Sequence, residues 1–144
     1  MSITLWRHSM KKKLPVLIVL LIILGGLFMA FSLNGAIQKQ KEEQRNREYE
    51  VSLVKALKNS YRDIDRIEIS KPHYAKPPGS WSCSVTLTFS DREVVQYGIG
   101  HSLYLKTNKS GTVTTEESKI LTAHEGSTKS KIKVLFSDGR ESVE

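Results

Sequence analysis

From Leu14 to Leu33 the chain reads LPVLIVLLIILGGLFMAFSL, twenty residues without a charge. As one helix, twenty apolar residues rise about 30 Å, the thickness of a bilayer's hydrocarbon core. A helix buried in a soluble core would show one apolar stripe, whereas this stretch is apolar all round. A cleaved secretory signal needs small residues three and one before the cut. A cut after Ala30 puts Phe28 at the first of these positions, and a cut after Ala36 puts Asn34 there. A lipoprotein needs a Cys directly after the apolar run, but the single Cys is Cys83. The reading left is an uncleaved signal anchor over 14–33. Pro15 falls in the first turn, where a missing N–H costs little. Gly25 and Gly26 lack the spacing of a GxxxG dimer face.

Flanking charge sets the expected orientation. Four cations flank each end, Arg7, Lys11, Lys12 and Lys13 before the run and Lys39, Lys41, Arg45 and Arg47 after it. The three lysines before it abut the helix, whereas Lys39 lies six residues beyond Leu33. Residues 1–13 therefore read as a short cytoplasmic basic tail, with the C-terminal part outside. Met10-Lys-Lys-Lys-Leu-Pro would also make an ordinary translation start for a bacterial exported protein. The formal charge is +7, but four of the 22 Lys and Arg precede the anchor. The eighteen that follow face fifteen Asp and Glu, leaving +3 and mixed signs, which argues against a nucleic-acid footprint. One Cys makes no internal bridge, in keeping with an extracytoplasmic domain that dispenses with disulfides, as Gram-positive surface domains do.

Gln38 to Glu48 (QKQKEEQRNRE) is polar and rich in helix formers, so 34–48 reads as a polar helical stalk. A small domain is expected over 49–144. Tyr49, Leu53, Val54, Leu57 and Tyr61 share one helical face, and the helix should end near Asn59-Ser60. The period then drops to two. Ile67 and Ile69 mark a short strand, while the prolines and glycine of Lys71–Ser80 argue against a regular element there. Trp81, Cys83, Val85, Leu87 and Phe89 alternate with five Ser and Thr residues, the pattern of a half-buried antiparallel strand. Ser90-Asp91-Arg92 turns the chain and Glu93–Ile99 returns, with Gly98 and Gly100 marking a bulge or the strand's end. A further short strand is expected in His101–Lys106 and a last one through Ile132, Val134 and Phe136. Residues 112–124 suit either strand or helix, and Glu141–Glu144 reads as a stub. The fold class is α+β: a transmembrane helix, then one amphipathic helix on a four- to five-stranded antiparallel sheet.

No arrangement of catalytic residues stands out. There is no P-loop, GxGxxG or GxSxG, and no His or Cys pair has ligand spacing, so no enzyme, metal or other cofactor is expected. Cys83, on the apolar face, reads as a small hydrophobe. Asp63 and Asp65 lie among arginines as a solvated edge, and Asn108-Lys109-Ser110 fits a sequon that arises often by chance. The most suggestive surface feature is the loop carrying His73, Tyr74, Lys76, Pro77 and Pro78. Its aromatic, imidazole and stiff diproline could meet a protein partner at little ordering cost.

The order Met10-Lys-Lys-Lys, apolar helix, amphipathic helix, isoleucine strand (Ile64, Ile67, Ile69) and Pro77-Pro-Gly-Ser-Trp-Ser82 resembles small membrane-anchored proteins of streptococci and other Firmicutes. The resemblance covers the layout of residues 10–100. Some similar proteins protect their own cell from toxins exported by type VII secretion. It implies a non-catalytic, membrane-held domain that binds a protein, with immunity as the sharpest version, and no small-molecule substrate. The alternative is an accessory component of a secretion, conjugation or pilus assembly machine. A pilin proper is excluded, because Gly-Phe-Thr and an early Glu are missing. An enzyme that depends on His73 or His101 is the third reading.

Overall fold

The computed structural model describes residues 2–76 and 79–144, with the side chains of 13–27, 29, 30, 32–76 and 79–144. Helix α1 spans Ser2–Ser60. The chain divides into two compact units, Met1–Glu43 and Gln44–Glu144.

The described part of the first unit is the helix α1 up to Glu43. From Lys13 the helix is long and apolar enough to cross a membrane, with a mean hydropathy of 2.9 over its most apolar window. Its described side chains from Lys13 to Glu43 are all exposed.

The second unit opens on the last turns of α1. Leu53, Val54, Ala56 and Leu57 are buried there, while Lys55 and Asn59 stay in solvent. The helix ends where the stripe analysis placed it, at Ser60, and Tyr61 completes the apolar face at 3 % exposure. The strands are β1 (Ile64–Ile69), β2 (His73–Ala75), β3 (Ser80–Phe89), β4 (Val94–His101), β5 (Lys133–Leu135) and β6 (Glu141–Val143), with a short helix α2 (Thr115–Ala123) between β4 and β5. Along β3 the five apolar residues are buried and the hydroxyls on the other face half-buried. These five join Ile64, Ile67, Ile69, Val95, Tyr97, Ile99, Val134 and Phe136 with the helix stripe in one core.

The sheet departs from expectation in four respects. It has six strands and is mixed, not a purely antiparallel sheet of four or five. β5 lies parallel to β1, pairing Arg66 with Lys133 and Glu68 with Leu135. The cause is the return from α2, which runs back along the end of α1. Arg62 N–H donates to His124 C=O at 2.7 Å, and Thr128 N–H donates to Lys58 C=O at 2.6 Å. The buried Thr128 hydroxyl then donates to Tyr61 C=O at 2.7 Å and accepts from Ile64 N–H at 3.1 Å. β5 therefore starts from the same end as β1.

Second, the stretch Lys71–Ser80 does hold a regular element. β2 fits between Pro72 and the diproline and pairs His73 with Ser82 and Ala75 with Ser80. Third, β4 ends at His101, and Leu103 and Tyr104 lie exposed in a turn where a further strand was expected. Gly98 and Gly100 keep regular register with β3, and the irregularity falls between Ile64 and Arg66 instead. Fourth, Glu141–Val143 is a strand, not a loose stub, held to β5 by antiparallel pairing.

Of residues 112–124, Thr112 pairs with Gly98 as an isolated bridge and Thr115–Ala123 form helix α2. Thr114 and Glu117 form a reciprocal capping box, each side chain accepting from the other's backbone N–H. The second unit also takes in part of the run read as stalk. The Arg45 guanidinium lies 4.1 Å over the Tyr74 ring, and Arg47 lies 3.8 Å over Phe136 and 2.6 Å from Asp138. Asn46 Oδ1 accepts from Trp81 Nε1 at 3.2 Å. Glu50 is buried to 2 % exposure, accepts from Ser137 N–H at 2.7 Å, and has its carboxyl pKa raised by that burial.

Candidate functional site

Paired residues in neighbouring strands point their side chains to one face, so the registers place two rows on the sheet's outer face. His73, Ser82 and Gly100 form the first. Ser84, Gly98 and Thr112 form the second, Thr112 joining through its N–H to Gly98 C=O at 2.8 Å. The two glycines leave bare backbone beside two serine hydroxyls. A shallow groove of about 730 Å³ results, with Lys71 and His73 on its rim. Among the described residues no carboxylate lines it, so its fixed polarity there is hydroxyl, amide, imidazole and ammonium.

Gly111 closes one side of this groove for a steric reason. Its φ is +129°, and a Cβ there would stand 2.6 Å from the Tyr97 ring and 2.9 Å from Gly98 C=O. Gly98 differs, since a Cβ built on it meets nothing within 4 Å. The open space over Gly98 is thus a property of the surface and not a packing need.

The loop singled out in the sequence divides between the two faces. His73 and Lys76 are exposed. Tyr74 is half-buried, packed edge-on to Tyr49 at 6.4 Å and capped by Arg45. Strand alternation explains the split, because Tyr74 pairs with Trp81 on the core side, where Trp81 stacks on Tyr49 at 5.3 Å. Pro77, Pro78 and the side chains of Lys11 and Lys12 lie outside the described residues. Lys13 is exposed. The structure thus brings His73 to the groove and takes Tyr74 away from it.

Two polar clusters surround buried histidines. His101 Nε2 lies 2.9 Å from Ser52 Oγ, and its Nδ1 lies 3.1 Å from Asn108 Nδ2. The spacing resembles a nucleophile, base and orienter, but the proton positions do not fit that role. Asn108 Oδ1 accepts from Ser110 N–H and Oγ–H, and Nδ2 donates to Gly100 C=O at 2.8 Å, which fixes the amide. Its second N–H therefore donates to His101 Nδ1. The ring proton sits on Nε2 and donates to Ser52, so the imidazole offers Ser52 no lone pair. Burial lowers the His101 pKa and favours this neutral ring. Asn108, at 3 % exposure, is a buried brace and no surface acceptor for glycan.

His124, at the C-terminus of α2, meets the β3–β4 turn. Its Nε2 lies 2.9 Å from Asp91 Oδ2, and one ligand atom each from Asp91, Glu93 and His124 fall within 4.8 Å of one another. Sequence spacing of His and Cys gave no hint of this group, because 33 residues separate its imidazole from Asp91. The Asp-x-Glu pair in a turn was the one available signal. Cys83 takes no part; it is buried on the apolar face and its thiol pKa is pushed up to about 12.

Comparison of the chain with models of protein families, with curated proteins and with solved structures finds no match.

Proposed function

We propose that the chain is a single-pass membrane protein with its N-terminus inside, whose C-terminal domain lies outside and binds a protein without catalysing a reaction. Immunity against a secreted toxin is the sharpest form of this reading. Support for the anchor is the apolar stretch of α1 with its flanking lysines. The observation that carries the binding reading is the hydroxyl-lined strip over Gly98 and Gly100, bare of side chains and edged by Lys71 and His73. Such a strip suits an extended, acidic or neutral polar segment of a partner, laid over the bare glycines and held by hydrogen bonds to the serine and threonine hydroxyls.

Gly98→Arg tests the reading. The substitution fills the groove while its Cβ meets no neighbour, so the fold should survive. In cells lacking the gene, sensitivity to a toxin encoded beside it should return to normal with the wild-type chain and stay high with Gly98→Arg. Full protection by Gly98→Arg at equal expression contradicts the groove as the binding face. Absence of any sensitisation on deletion contradicts immunity, and co-purification with a large envelope complex would then favour the assembly reading.

A further inference from the structure

The geometry points to a binding site for a divalent transition cation of the zinc class, formed by Asp91, Glu93 and His124 where the β3–β4 turn meets the end of α2. Its basis is the proton inventory of one imidazole. His124 Nδ1 lies 2.8 Å from the carbonyl oxygen of Ile120. A carbonyl only accepts, so Nδ1 carries the hydrogen. In the neutral ring Nε2 is then a lone pair, and it faces another acceptor, Asp91 Oδ2, at 2.9 Å. A shared cation relieves the repulsion of two acceptors at that distance, either a proton on the line between them or a metal ion beside that line, about 2 Å from each.

The ring is also held for the task. Its side chain is 8 % exposed and it stacks on Phe89 with centroids 3.9 Å apart. An N–H from one nitrogen to a backbone carbonyl, with the other nitrogen free, is the arrangement that orients metal-binding histidines. The carboxylates differ from the imidazole in being reachable. Asp91 Oδ1 accepts from Glu93 N–H at 3.0 Å, which leaves Oδ2 toward His124. Glu93 is exposed and supplies the third ligand atom. One nitrogen and two carboxylate oxygens form a borderline donor set, with room for water at the open positions. The imidazole disfavours calcium and magnesium, which prefer all-oxygen shells. A bound ion would tie the hairpin turn to α2 across 33 residues of chain.

The experiment is calorimetric titration of zinc chloride into the full chain in detergent micelles, prepared without a histidine tag. Saturable binding at one ion per chain is expected. Asp91→Asn and Glu93→Gln should each weaken it by about tenfold or more, and His73→Ala should leave it unchanged. Both carboxylates are exposed, so these variants should keep the fold that His124→Ala could lose. Failure to bind zinc overturns the proposal and leaves a proton as the shared cation. Unchanged affinity in both carboxylate variants also overturns it, as does loss of binding in His73→Ala. Binding lost in Asp91→Asn but kept in Glu93→Gln overturns the three-ligand site.

Discussion

Leu14–Leu33 and Tyr49–Ser60 belong to the same helix, yet their apolar residues meet different surroundings. In the first segment Leu20, Ile22 and Leu24 are 51 %, 68 % and 62 % exposed, and apolar residues occupy every side of the helix. In the second, Leu53, Val54, Ala56 and Leu57 are buried on one side while Lys55 on the other is exposed. Apolar content alone does not separate the two; its angular distribution does. An even distribution suits a uniform solvent such as lipid, and a one-sided distribution suits a sheet on one side and water on the other. The first segment is long and apolar enough to cross a membrane, and the second holds the domain together.

Charge in each segment should break this division of labour in opposite ways. Leu21→Arg with Ile23→Arg costs roughly 2.5–3.5 kcal/mol per residue at the centre of a membrane helix. The variant should leave the membrane fraction while its domain keeps the protease resistance of a folded unit. A membrane-retained double variant would contradict the lipid reading of this segment. A milder pair of changes sharpens the contrast. Leu57→Ala should cost about 2–5 kcal/mol of domain stability, because it empties a fully buried site. Leu24→Ala should leave the domain's urea midpoint unchanged. Equal shifts from both would mean that the two segments share one core.

Glu50 supplies the smallest of these effects, with a definite sign. Burial raises its carboxyl pKa above 4.5, so the folded chain holds that proton to higher pH than the unfolded chain. Its contribution is fully present below about 4.5 and is lost as pH rises through the raised folded value. Glu50→Gln keeps an acceptor for Ser137 N–H and removes the ionisation. Urea midpoints across this pH range should fall for wild type relative to Glu50→Gln as pH rises. Parallel curves would contradict the buried-carboxyl account.

Legibility followed period and distance. β3 could be read because alternation at period two is a local property, and the Tyr49–Tyr61 stripe because period 3.6 is too. The end of α1 at Ser60 followed for the same reason. β2 was hidden because prolines on both sides signal a loop, although three residues suffice to pair with β3. The parallel placement of β5 rests on the hydroxyl of Thr128 bridging Tyr61 and Ile64, a contact across more than sixty residues that no local pattern announces. Arg45 and Arg47 looked like solvated stalk, but each guanidinium covers an aromatic ring contributed from far along the chain. The groove shows the same limit. His73 was a candidate by composition, whereas the glycines that open the strip beside it read as strand punctuation. The groupings around His101 and His124 became visible only through ring hydrogen bonds, which fix one imidazole as neutral and set the other against a carboxylate.

We propose an outward-facing domain held by a single membrane helix. Protease digestion of intact cells carrying a C-terminal tag tests this most directly. The account predicts loss of the tag while a cytoplasmic control protein survives. A tag that stays protected, in cells whose wall is shown to admit the protease, would place the domain inside and contradict it.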